Sequence, residues 1–187
     1  MLNQQKERVK GPYIVKFLKK IASLFLYFMM AYGTARFLTD YFLQPIRVEG
    51  VSMEHTLYHN DILIVDKLCY RFQKPKRFDI VIFPFSMKEH YVKRIIAIPG
   101  ETIQVKDGGI YINKIRLLEE YGMEDIEDAG IAKKEITLGD DEYFLMGDNR
   151  NLSTDSRNQL IGPVKLDKLE GKVIARIYPF DRMKLFL

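Results

Sequence analysis

A chain of 187 residues with 47% hydrophobic content is long enough for one buried core plus an appendage. Its net charge of +4 is unevenly placed: residues 1–40 hold seven Lys or Arg against two acids, and residues 41–187 hold 22 against 23. The body is therefore not basic, which argues against a nucleic-acid partner, and the single Cys69 excludes an intrachain disulfide and a Cys-based zinc site.

In chain order, residues 1–16 form a basic N-terminal segment. "IASLFLYFMMAYGTA", Ile21 to Ala35, then runs fifteen residues without a charge. A bilayer core takes about 20 residues of helix. With Lys19, Lys20 and Arg36 snorkelling at the ends, residues 17–38 are expected to span as a single transmembrane helix. Lysines before the span place the N-terminus in the cytoplasm and residues 39–187 on the extracytoplasmic face. A cleavable signal peptide ending near "MAYGTA", or a buried amphipathic helix, are the competing readings of the same residues.

After Pro45 the pattern changes to short β-rich runs between turn residues. Strands are expected at 61–65, 79–83, 90–98, 101–105, 110–113, 142–146 and 172–178. "KDGG", Lys106 to Gly109, is a hairpin signal, and Pro99-Gly100 is a turn. This spacing predicts a mainly β, compact antiparallel barrel-like or sandwich-like domain over 39–187. The acidic stretch 117–134 is poorly periodic and reads as a surface insertion.

Three stretches could carry chemistry. In "VEGVSMEHTL" Ser52 is a small polar residue among apolar ones, a turn residue or a nucleophile, and a serine hydroxyl needs a nearby base to react. His55 is too close in sequence to reach back well, His59 sits in a polar turn, and His90 has no evident orienting carboxylate beyond Glu89. No GxSxG elbow is present, and His55 with His59 lacks a third ligand for a metal. In "HYVKRIIAIPG" Lys93 lies inside an apolar strand, with Tyr91 and Ile95 on its face and Val92, Arg94 and Ile96 on the other. Such a lysine is either an edge residue with its ammonium in water or a buried base whose pKa burial lowers. "GDNRNLSTDSR", Gly147 to Arg157, reads as a turn-rich loop braced by charge-assisted pairs.

Taken together and in order, these stretches resemble the bacterial type I signal peptidases, membrane-bound Ser-Lys endopeptidases that remove signal peptides from exported preproteins. "GVSMEHTL" is similar to the nucleophile box, "RFDIVIF" to a strand box, "YVKRIIAIPGE" to the lysine box and "GDNRNLSTDSR" to the C-terminal box. The resemblance implies Ser52 as nucleophile, Lys93 as general base, and Ser153 as the residue that bonds the lysine amine and holds it. It puts the oxyanion hole at the Ser52 N–H and Gly50, where some members carry a serine hydroxyl that this chain lacks. It pairs Asp148 with Arg94 and Asp155 with Arg157. Strands at 47–49 and 90–92 would bind extended substrate by main-chain pairing. Val48, Met53, Leu57, Tyr91 and Val92 would line small apolar pockets for an Ala-x-Ala ending.

Two positions depart from the family pattern. His55 stands where members typically have proline, so a less rigid turn after the nucleophile is expected, and Phe78 replaces the common glycine of "RGD", a change expected to touch a strand and not the chemistry. The resemblance also favours the uncleaved anchor in the cell membrane, a monomer with the bilayer and signal peptides as partners, and no metal or cofactor. A catalytically dead relative would be expected to lose Ser52 or Lys93, and both are kept; a self-cleaving repressor should begin with a DNA-binding helix pair. An unperturbed lysine is neutral at about 1 part in 250 at pH 8. The mechanism therefore requires Lys93 to be desolvated.

Overall fold

The chain divides after Tyr41 into two units, each taken by itself. The computed structural model describes residues 2–85, 89–122 and 124–186, and of these the side chains of residues 2–12 and 38–41 lie outside the description. The first unit is one helix, α1 (Leu2–Tyr41), which contains the whole of the expected span 17–38. Its apolar side chains from Tyr13 to Phe37 are exposed. Even so, no helix among the described residues is long and apolar enough to cross a membrane. Between Lys20 and Arg36 the charge-free run is fifteen residues, about 22 Å of helix against a hydrocarbon core of about 30 Å.

The second unit is built on two antiparallel sheets. In the larger, β1 (Leu43–Arg47) pairs with β2 (Ile62–Asp66), and β2 with β11 (Gly171–Tyr178). β11 then pairs with β3 (Ile80–Pro84), β3 with β4 (His90–Ala97), β4 with β9 (Glu142–Met146), and β9 with β10 (Val164–Lys165). A short β12 (Lys184–Leu185) adds to β11, and a four-residue helix, α2 (Cys69–Phe72), follows β2. The smaller sheet runs β7 (Ile115–Arg116), β6 (Gly109–Ile112), β5 (Thr102–Lys106), β8 (Ile136–Thr137). The β5–β6 turn pairs Lys106 with Gly109 across Asp107 and Gly108, both at positive φ (49° and 70°). That is the type I′ geometry whose twist suits a two-residue hairpin.

Neither sheet closes, so the barrel expectation is corrected to two open sheets. The larger ends at one side in a two-residue strand, and at the other in β1, where Pro45 removes a ladder donor. The expected strand 47–49 is also displaced: the pairing covers Leu43–Arg47, and Val48 and Glu49 lie beyond it.

Three apolar clusters meet at β4. Ile96 and Ala97 belong to one with β5, β6 and Phe144, Val92 packs on a second with Met53, Leu57 and Leu63, and Ile95 and Tyr91 join a third with Phe83 and Leu145. Strand alternation thus finds a covered surface on both faces, and β4 is buried from Lys93 to Ala97. The stretch 117–134 is not a surface insertion throughout. Ile126 and Ala132 are buried in the first cluster, with Leu117 packed against it.

Candidate active site

Ser52 sits on a loop whose two ends are tied together. Val48 N–H donates to Asp61 O and Asn60 N–H to Val48 O, both at 2.9 Å. Within the loop, Leu57 N–H bonds Met53 O at 2.7 Å, and Met53 and Leu57 sink into the second apolar cluster. Asp61, fully buried, accepts from Arg176 and Arg182 at 3.1 Å each, while Arg176 also donates to Thr56 O at 2.8 Å. Apolar burial and a buried ion pair therefore hold the serine from opposite ends of one loop.

Lys93 reaches this serine from β4: its Nζ lies 2.7 Å from Ser52 Oγ and donates to Val92 O at 3.2 Å. A neutral amine has one lone pair and two protons, so it can accept from the serine hydroxyl while donating to the carbonyl. The lysine is 3% exposed, and its amine lies 4.9 Å from the Tyr91 ring centroid. Burial pushes its pKa down to about 8, opposed by the charges of Asp155 and Asp148 and helped by Arg157.

The expected bond from Ser153 to the lysine is not made. The Ser153 hydroxyl is buried with no partner, and Val92 O takes the proton of the amine instead. Gly50 also differs from expectation. Its N–H donates to His59 Nδ1 at 3.3 Å, so it is engaged, whereas the Ser52 N–H has no acceptor among the described residues.

The loop from Gly147 closes the site from the other side. Asn149 N–H donates to Ser52 O at 3.1 Å. A Cβ on Gly147 would fall 2.3 Å from both Ser52 O and Ser153 Oγ, so only glycine permits this approach. Asp148 receives two bonds from Arg94, Nε at 2.8 Å and Nη2 at 2.6 Å, and Asp155 receives two from Arg157 at 2.9 Å each. Both pairs are buried, and such forked geometry fixes direction as well as distance.

Several participants have weak sequence signals. Arg150 pairs with Glu119 through two bonds, Tyr121 covers Arg94, and Asp61 pairs with Arg176. Each joins segments 27 or more residues apart, and only Arg176, a charge inside the apolar run "KVIARIY", stands out by the criterion that singles out Lys93. Phe78 does more than fill a strand position: its carbonyl accepts from Arg94 Nη1 at 2.9 Å and its ring packs on Tyr121. Its φ of 73° explains why glycine suits the position in the family pattern. His55, at φ 81°, occupies backbone that proline cannot adopt. His90 does find a carboxylate, Glu170 at 3.2 Å, while the bond to Ser52 Oγ comes from Lys93.

A cleft of about 650 Å³ opens beside Ser52, lined by Val48, Met53, Tyr91 and Val92, as well as Ile46, Ile82 and the charged Arg47, Glu49, Glu89 and Glu170. Leu57 does not line it and is buried in the core behind.

The family model described as "Signal peptidase, peptidase S26" matches residues 21–178. The chain belongs to this family. It is a serine endopeptidase of the signal peptidase I type, and its family's work is the removal of signal peptides. Among its relatives, "Signal peptidase I P" of Bacillus subtilis subsp. natto is 35% identical over 96% of this chain and 97% of its own. "Signal peptidase I T" of Bacillus subtilis (strain 168) is 37% identical over 80% of this chain and 81% of its own. A crystal structure of a signal peptidase I from Enterococcus faecalis V583 aligns with 54% of this chain and 97% of its own, at 33% identity and a TM-score of 0.42.

Proposed function

We propose that this chain removes signal peptides from exported preproteins by a Ser-Lys dyad, Ser52 and Lys93, after Ala-x-Ala-like endings. The observation that carries this reading is the 2.7 Å approach of a buried lysine amine to Ser52 Oγ, within the range a general base requires. Ser52 Oγ attacks the scissile carbonyl carbon as its proton passes to Lys93 Nζ, and the oxyanion gathers at the Ser52 N–H. Lys93 then hands that proton to the departing amine, leaving an ester on Ser52. Next it takes a proton from water, whose oxygen attacks the ester, and returns it to Ser52 Oγ. The apolar Val48, Met53, Tyr91 and Val92 beside the serine suit small apolar side chains in extended substrate.

Membrane anchoring through α1, with the basic N-terminus in the cytoplasm and the peptidase unit outside, completes the proposal. In its favour are the charge-free Ile21–Ala35, the lysines that precede it and the side chains of Lys19, Lys20 and Arg36, which can extend the tolerated length at either end. The test is cleavage of a preprotein in detergent. Ser52→Ala is expected to abolish it and Lys93→Ala to reduce it by about 10²–10⁴-fold or more, while His90→Ala leaves it intact. Full activity in Lys93→Ala would sink the dyad, and loss in His90→Ala would bring a histidine base back.

A further inference from the structure

Arg94 uses every edge of its guanidinium: Nε and Nη2 bond Asp148, Nη1 bonds Phe78 O, and Nη2 also reaches Thr56 Oγ1 at 3.2 Å. These bonds lie in the plane of the group and leave its face to something else. Tyr121 takes that face, its ring centroid 3.5 Å from Arg94 Cζ. The Phe78 ring, 5.2 Å from that of Tyr121, packs against it in turn. The segment carrying Tyr121 is itself anchored two residues earlier, where Glu119 accepts from Arg150 at 2.5 and 2.7 Å, and Arg150 donates to Gly147 O at 2.9 Å.

From Arg94 the contacts run straight to the nucleophile. Asp148 is held in both oxygens, and the next residue, Asn149, gives its N–H to Ser52 O. Arg94 also follows Lys93 directly in β4 and touches the serine loop at Thr56.

We propose that Tyr121 is a positioning residue for the Ser52–Lys93 pair, clamping the face of Arg94 and through it the Asp148–Asn149–Ser52 contact. The proposal rests on the reading of that pair as the dyad. Tyr121 lies outside the lining of the cleft beside Ser52, so its loss falls on kcat and not on KM. Its hydroxyl makes no hydrogen bond among the described residues, so the ring alone acts.

The test uses the full chain in detergent, with kcat and KM for a preprotein and a thermal midpoint for each variant. Tyr121→Leu should lower kcat by about 3- to 30-fold, the span of a partly desolvated cation–π contact, with KM within about twofold. Tyr121→Phe should restore kcat. Adding Tyr121→Leu to Arg94→Gln should cost little more than Arg94→Gln alone, since Gln already removes the cation that the ring covers. Wild-type kcat in Tyr121→Leu, failure of Phe to restore it, full additivity with Arg94→Gln, or an effect on KM alone would each overturn the clamp. Should Tyr121→Leu not fold, fluorinated phenylalanines at position 121 decide: kcat falling as the ring loses electron density supports the clamp, and a flat series overturns it. An active Lys93→Ala enzyme would instead remove the dyad and leave the clamp without an object.

Discussion

In the proposed dyad, Lys93 is where the molecule gives up stability for a reactive amine. Its folded pKa of about 8 lies below the ordinary 10.5. Below about pH 8 both folded and unfolded states carry the charge, and the burial cost is complete. Between about 8 and 10.5 the folded state is neutral while the unfolded state is still protonated, so stability climbs with pH; above that the cost has gone. At about 1.4 kcal/mol per unit, the cost is about 3 kcal/mol. Lys93→Met is therefore expected to be inactive yet more stable by up to about that amount at pH 7. Its advantage should shrink to nothing by pH 11, read from urea unfolding across pH. His55 offers a second test at this scale. At φ 81° the backbone is closed to proline, so restoring the family's residue with His55→Pro should destabilise the loop by about 2 kcal/mol or more and depress cleavage. A stabilised His55→Pro would contradict that backbone. The lysine was legible in the sequence because a charge in an apolar strand is conspicuous. The φ values of His55 and Phe78 were not, since a side chain of ordinary type gives no local sign of a left-handed backbone imposed by tertiary contacts. The idle Ser153 hydroxyl was equally hidden, because spacing says nothing about which of several acceptors an amine will meet.

At the scale of elements, β4 delivers Lys93 and Arg94 on successive residues, and the loop after β9 receives them. Apolar cover on both faces of β4 makes each charge expensive: Arg94 is paired with Asp148, and burial lowers the pKa of Lys93 to about 8. Asp148→Ala would leave the Arg94 guanidinium buried without its partner, and is expected to cost about 3–5 kcal/mol by denaturant unfolding with a large loss of cleavage. A loss under about 1 kcal/mol would mean the pair is not confined as described. Strands with strong β-branched runs were readable to within a residue or two: β2, β3, β5, β6 and β11 each begin or end one position from expectation. β1 escaped because Pro45 argues against a strand until its edge position is known, and β7, β8, β10 and β12 are two-residue pieces defined by their partners. The acidic stretch 117–134 looked like surface because its apolar residues are few and aperiodic. Its work is carried by Glu119 and Tyr121 meeting arginines that are far off in sequence.

For the whole molecule, every buried apolar residue of the core among the described residues lies at Val48 or beyond. A fragment of residues 42–187 is therefore expected to fold cooperatively in water and to cleave a short soluble peptide. It should lose efficiency toward a preprotein held in vesicles, where the proposed anchoring would confine enzyme and substrate to one surface. Failure of the fragment to unfold cooperatively in urea would place part of the core with α1. Fold class was legible in the run of short strands, but closure was not. Whether end strands meet depends on how long β1 and β10 are, and β10 is only two residues.

The pH dependence of kcat/KM for preprotein cleavage bears most directly on the Ser52–Lys93 pair, because its acid limb reports the base of the free enzyme. An acid limb near pH 8, matching the depressed pKa of Lys93, is the predicted result. A limb near 6.5, the ordinary value for histidine, or a flat profile from pH 6 to about 9, would contradict it.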